Sequence, residues 1–366
     1  MSQRTIDRIV VQGYKSINQC NLELGSLNVF IGPNGAGKSN FVSLFSLLGS
    51  IANNQLALTV GRAGGASKLL HHGPQRTKEI LVHAFFGVNQ YQARLVPGSS
   101  DTLVFISEIC FVYDPEWDDA LPTRLGTGGR ESSLSWAIEQ SQHPIVFSQC
   151  RDAMLDWQVF HFHDTSATAG IKQKQPIGDN RYLRSDASNL APFLLRLKST
   201  DPNSYKRLVG QIRLVAPFFR DFLLKPDALN AGQIQLEWEH QSSDAYFDAH
   251  SLSDGTLRFI CLATLLLQPN PPSVIVIDEP ELGLHPFAIT QLAEILRSVS
   301  AQTQLIVSTQ SVSLLNQLDL ENVIVAEQVN GETLFSRPDP ESLEQWLEEY
   351  SVGELWEKNL LGGRPQ

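Results

Sequence analysis

Leu27-Asn28-Val29-Phe30-Ile31-Gly32-Pro33-Asn34-Gly35-Ala36-Gly37-Lys38-Ser39-Asn40 passes from an apolar run, through a glycine-rich loop, into residues with apolar positions at helical spacing. The run has the composition of a strand buried on both faces. Gly32 to Ser39 fits G-x-x-x-x-G-K-[ST] at every fixed position, in the strand–loop–helix order that a phosphate-cradling loop requires. Glycines permit backbone conformations closed to other residues, so the N–H groups of Asn34, Gly35, Ala36 and Gly37 can converge on an anion. The positive end of the following helix, through Lys38, Ser39 and Asn40, adds to that field. Lys38 is expected to reach the β- and γ-phosphates of a nucleotide, and the Ser39 hydroxyl to ligate Mg²⁺.

Residues 273–280 form a second apolar run, ending in the adjacent acids Asp278 and Glu279. This strand is expected beside the first, with both acids at the C-terminal sheet edge where α/β folds bind ligands. Asp278 is then the candidate Mg²⁺ ligand, through water, and Glu279 the candidate general base. Leu252-Ser253-Asp254-Gly255-Thr256 opens a helix 25 residues before Asp278. Ser253 suits a helix N-cap, and the same free N–H groups suit a phosphate. A third apolar strand ends at Ser308-Thr309-Gln310-Ser311, which puts Gln310 32 residues beyond Asp278.

Around these motifs, residues 79–88, 91–96 and 103–113 read as an antiparallel meander. The middle of the chain is mixed, with a strand at 157–163 and helices at 190–198 and 205–219. The organisation expected is an N-terminal part at 1–117, an inserted, mainly helical region at 118–230 and a C-terminal part at 231–366. With 42% hydrophobic and 18% charged residues among 366, a disordered chain or a coiled-coil rod is excluded. A net charge of −11 argues against non-specific nucleic-acid binding by the whole surface. It leaves room for a local patch, since residues 172–225 carry eleven Lys/Arg against four Asp. Four scattered cysteines, no apolar leader and no run of about 18 apolar residues point to a soluble, cytoplasmic protein with no membrane partner.

The segment Leu252 to Thr256 resembles the LSGGQ signature of ATP-binding-cassette ATPases, and Glu279-Pro280-Glu281-Leu282-Gly283-Leu284-His285-Pro286 resembles their D-loop region. The resemblance implies an α/β P-loop NTPase fold, that of an ABC-ATPase head with an antiparallel β-subdomain and an inserted, mainly helical region. It implies ATP and Mg²⁺ as cofactors. It also implies that Ser253 and Gly255 contact the γ-phosphate held by a second copy, so that ATP joins two copies head to head. Two departures stand out. Asp254 replaces a glycine, and Gln310 stands where transporter-type cassettes have histidine, which implies slow hydrolysis suited to a switch. Gly13-Tyr14-Lys15-Ser16, the 215-residue gap from Lys38 to Ser253, and the variants LSDGT, DEPELGLHP and STQS look most like the RecF/SMC/OLD-like group of stand-alone AAA-type ATPases. Residues 62–73 are similar to the arginine loop of SMC heads, which implies a phosphate contact for Arg62, with Lys68 as a competing cation and a solvated loop as the plain alternative. Long coiled coils are lacking, and the 56 residues after Gln310 are too few for a Toprim nuclease domain.

The group implies a RecF-type ATPase of DNA repair or replication, touching double-stranded DNA through residues 172–225. An alternative is a regulatory ATPase of an anti-phage defence or toxin system that controls a separately encoded effector. A transporter motor fits the spacing and the signature least well. Gln90 and Gln92 are candidates for a glutamine loop, and Glu108 for a site acid, against the plainer reading of an edge carboxylate. His161 and His163 pose the choice between a zinc site and ordinary strand packing. His71-His72 read as loop residues. Trp346, Leu347, Leu355 and Trp356 suggest a docked helix pair or a partner surface.

Overall fold

The computed structural model describes residues 4–114, 119–140 and 144–362, leaving aside the side chains of 112–114 and 119–121. The chain begins with a hairpin of β1 (Arg8–Tyr14) and β2 (Ile17–Glu23), then β3 (Leu27–Ile31) enters the glycine-rich loop. Three helices follow: α1 (Lys38–Ala52), α2 (Leu56–Arg62) and α3 (Ala66–Leu69). Next come β4 (Ile80–Phe86), β5 (Asn89–Pro97), β6 (Leu103–Asp114) and β7 (Asp119–Gly126). The middle of the chain supplies α4 (Leu134–Gln140), α5 (Pro144–Leu155), β8 (Trp157–Phe160), β9 (Gln175–Pro176), α6 (Leu190–Thr200) and α7 (Pro202–Val215). After β10 (Phe219–Phe222), β11 (Gln233–Ile234), β12 (Glu237–His240) and β13 (Tyr246–Asp248), the α/β rhythm returns. Its elements are α8 (Asp254–Leu267), β14 (Val274–Asp278), α9 (Pro286–Ser300), β15 (Gln304–Thr309), α10 (Val312–Leu315), β16 (Val323–Val329) and β17 (Glu332–Ser336). The described chain closes with the helix pair α11 (Pro340–Leu347) and α12 (Val352–Glu357).

Two six-stranded sheets organise these elements. The central sheet runs β17-β16-β3-β15-β14-β8, parallel except for β17. The other, β2-β1-β4-β5-β6-β7, is antiparallel throughout. The unbroken apolar runs of the central strands follow from a sheet covered on both sides. Leu27, Val29, Ile31, Ile275, Ile277, Leu305 and Val307 face one core, with side chains of α6 to α9. Phe30, Val274, Val276 and Ile306 face the other, with α1 and the antiparallel sheet. Alternation of period two therefore divides each strand between two apolar layers, and no polar face is left to show in the sequence.

Several expectations change. The strand that ends in Asp278 is not beside the phosphate-loop strand, because β15 lies between β3 and β14. The antiparallel sheet runs past residue 117, since β7 pairs with β6. The expected boundary between residues 117 and 118 lies outside the described residues. The region 118–230 is not an appendage: β8 is an edge strand of the central sheet, and Leu194, Leu208 and Ile212 of α6 and α7 share a core with α8 and α9. The helix expected at 205–219 starts earlier, at Pro202, because Asp201 accepts from the Ser204 N–H at 3.0 Å and caps it. It stops at Val215, before Pro217. No helix among the described residues is long and apolar enough to cross a membrane.

Candidate active site

The phosphate loop rests on a polar saddle. Ser16, in the β1–β2 turn, bonds the Thr333 hydroxyl of β17 at 2.7 Å and accepts from the Asn40 amide at 2.7 Å. Gly37 adopts φ 99° against this saddle, and a β-carbon there would lie 1.9 Å from Thr333 Oγ1. Only glycine lets the backbone approach so closely while left-handed. Asn40 is thus committed to supporting the loop. His71 lies in a loop, as expected, but is buried beneath the β1–β2 turn, its Nδ1 2.7 Å from the Lys15 carbonyl oxygen.

Lys38, 5% exposed, donates to the carbonyls of Gly32 and Pro33 at 2.6 and 3.0 Å. Burial holds its ammonium below the usual lysine range, opposed by Glu279, Asp278 and Glu281. Ser39 Oγ donates to Asp278 Oδ2 at 3.0 Å, and Ser308 donates to Oδ1. The intervening strand β15 thus carries, one residue before its end, a small hydroxyl residue that bridges towards Asp278, and Ser39 still reaches the acid. His163 Nε2 lies 2.9 Å from the Asp278 main-chain oxygen, a role other than a zinc site or plain packing.

Beyond Asp278 the chain turns sharply. Glu279 has φ 45°, its N–H donates to Ser308 O at 2.8 Å, and its carboxylate accepts from the Gln310 amide. Two candidates from distant parts of the sequence are in direct contact. Glu281, two residues on, accepts from the Thr309 hydroxyl at 2.5 Å and from the Gln310 N–H at 3.3 Å. Burial pushes its carboxyl above the usual carboxylate range, and the charge of Glu279 adds to that. Sequence reasoning passed over Glu281 as part of the D-loop resemblance, although its spacing from Glu279 was visible.

Ser253 caps α8, its hydroxyl accepting from the Thr256 N–H at 3.1 Å, and it is exposed with no bond to the phosphate loop. A β-carbon at Gly255 would lie 2.2 Å from Gly283 O, so α8 begins directly against the turn that follows Glu279. Arg258, one turn into α8, binds that turn through Leu282 O and the segment that follows β8 through His163 O, each at 2.9 Å. Asp254 is not an isolated negative charge: buried Lys172 lies 3.8 Å away and donates to Thr165 O.

Other candidates stay outside this group. Arg62 is exposed at the end of α2 and makes no ion pair or hydrogen bond with the residues above. Gln90 and Gln92 both contact His83 on the antiparallel sheet, at 2.9 and 3.3 Å, and neither bonds Lys38, Ser39, Asp278 or Glu279. Glu108 is neither a site acid nor an edge carboxylate. It is 1% exposed on β6, between β5 and β7, and accepts from Tyr91, Ser132 and the Ser133 N–H.

A family model described as "AAA domain, putative AbiEii toxin, Type IV TA system" matches residues 27–316, from β3 to beyond Gln310. The chain belongs to this AAA-domain family. Its sequence is 25% identical, over 232 residues, to the DNA replication and repair protein RecF of Vibrio cholerae, covering 57% of this chain and 58% of that protein. The chain thus spans little more than half the length of the curated relatives it matches. The fold is that of an SMC head: an SMC head bound to the C-winged helix domain of ScpA superposes with a TM-score of 0.62 at 15% identity, covering 93% of this chain and 99% of that one. A second, bound to the C-terminal domain of ScpA derived from Pyrococcus furiosus, gives 0.54 at 14% identity, covering 94% and 98%. This is a RecF/SMC-like, ABC-type P-loop ATPase head, and at the level of its family it is a nucleotide-binding ATPase. Within that family frame, the loop carrying Lys38 and the strand ends carrying Asp278, Glu279 and Gln310 form one continuous site edge.

Proposed function

We propose that this cytoplasmic chain is a Mg²⁺-dependent, slowly ATP-hydrolysing switch that closes head to head on a second copy, and that it acts on DNA. The observation that carries the hydrolytic reading is the meeting of Lys38, Ser39, Asp278, Glu279 and Gln310 at one sheet edge. Ser39 Oγ and Asp278 Oδ2, 3.0 Å apart, are hard oxygen donors that fit Mg²⁺. Held by Ser39 and Asp278, the cation would supply positive charge against the phosphates of a bound nucleotide. The chain's own groups do the rest. Lys38 exchanges two carbonyl partners for phosphate oxygens, and the loop N–H groups with the N-terminus of α1 hold the same anion. Glu279 accepts a proton from the attacking water, while Gln310 keeps its carboxylate oriented.

Closure on a second copy is supported by Ser253 and the N-terminus of α8, exposed and not bonded to the phosphate loop of the same chain, and by the exposed apolar side chains Leu282 and Phe287 nearby. Glu279→Gln with saturating ATP should double the mass measured by light scattering. A variant that stays monomeric would sink the dimer reading.

The DNA assignment follows the name of the RecF relatives. The family description, with its words "putative AbiEii toxin, Type IV TA system", points to a second reading: an ATPase of a toxin system, here taken to regulate a separately encoded effector. Duplex DNA separates the two. Stimulated ATPase activity supports the first, whereas indifference to DNA with a co-purifying neighbour-encoded protein supports the second.

A further inference from the structure

Glu281 has no part in the reading above, yet its carboxyl group is enclosed. Oε1 takes the Thr309 hydroxyl and the Gln310 N–H, while Oε2 is sealed from water without a hydrogen-bond partner. An enclosed carboxylate oxygen left unpaired is costly, so an apolar residue would serve a purely structural position better. The turn explains how the acid gets there. Glu279 is left-handed, the Leu282 N–H donates to Glu279 O at 3.2 Å, and the Leu284 N–H donates to Glu281 O at 2.9 Å. The chain folds back so that two acids of one turn flank the end of β15. Gln310 is then held at both ends, its N–H by Glu281 and its carboxamide by Glu279. Thr309 Oγ1 also accepts from the Ser311 N–H at 3.0 Å, so the same contacts tie down the start of α10.

We propose that Glu281 is a positioning residue that anchors the Thr309–Gln310 backbone, so that the Gln310 carboxamide stays on Glu279. Its kinetic consequence rests on the ATPase reading; its structural consequence does not. A glutamine side chain has many rotamers, and only a fixed backbone gives its carboxamide one address. Without the anchor, Gln310 leaves Glu279, and the general base is no longer oriented.

The test uses Glu281→Leu and Thr309→Val, each alone and combined with Gln310→Ala. Each single change should lower kcat roughly ten-fold or more, as small misplacements of reacting groups do, with ATP affinity within about two-fold of wild type. Neither should cost anything further once Gln310 is alanine. Additive losses, or a loss of ATP affinity in step with kcat, would overturn the proposal. Thr309→Val removes one hydroxyl and serves where Glu281→Leu fails to fold. A crystal structure of either variant gives the second readout. Gln310 displaced from Glu279 is expected, and Gln310 unmoved overturns the proposal even where the wild-type chain hydrolyses no ATP. An inactive wild type would therefore count against the ATPase reading alone.

Discussion

Lys38 shows how a single side chain is prepared for an anion. Its ammonium is buried, with two loop carbonyls as stand-in partners and three acids near enough to favour its charge. Charge-assisted bonds to phosphate contribute more than neutral ones. Lys38→Ala should therefore weaken ATP binding by about 3 kcal/mol, roughly a hundred-fold in Kd by calorimetry. An unchanged Kd would mean that the phosphates lie elsewhere. Asp254 makes a complementary point. Its carboxylate looked like a handicap near a phosphate, but Lys172 reaches it from the end of a different loop. The local charge is closer to neutral than the signature segment suggests.

At the scale of elements, the antiparallel sheet is secured by an acid in its interior. Glu108 on β6 holds the 132–133 segment just ahead of α4. Burial pushes its carboxyl above the ordinary value of 4.5, against the hydrogen bonds that favour the anion. The folded chain therefore binds this proton more tightly than the unfolded chain does. Its contribution to stability is full below pH 4.5 and is lost as pH rises through the raised value. Glu281 contributes in the same direction. Glu108→Gln cannot titrate, so its melting temperature should fall less than that of wild type as pH rises. Parallel melting curves would show that Glu108 keeps an ordinary pKa. Nucleotide affinity should be unaffected, because none of the bonds of Glu108 involves the phosphate loop.

Across the whole molecule, the basic stretch at 172–225 loses much of its apparent charge. Lys172, Lys174, Arg184, Lys198 and Arg220 each pair with a carboxylate of the chain. Arg181 and Arg196 have no ion pair among the described residues, and both line a cleft of about 290 Å³ with the exposed Tyr182 and Gln268. If duplex DNA touches this region, the Arg181→Ala/Arg196→Ala double variant should weaken binding. The log–log salt slope should then become shallower by about one for each phosphate that is no longer neutralised. Lys198→Ala, whose charge is already matched by Asp221, should do little. An effect of Lys198→Ala about half that of the double variant, in proportion to the charge removed, would show that only bulk charge matters.

The phosphate loop, the acids closing the second strand and the cap of α8 were legible because each is a contiguous segment whose chemistry and local geometry travel together. The alternation of central strands between two cores likewise left its mark as unbroken apolar runs. Strand order was not legible: nothing local says that β15 separates β3 from β14, or that β8 joins their sheet from a region read as an insertion. The contacts of Glu281 with Thr309 and Gln310, of Asp254 with Lys172, and of Glu108 with Ser132 were hidden for the same reason. Partners far apart in the chain meet only after strand register and helix packing are settled, and both are decided by apolar burial summed over the whole molecule.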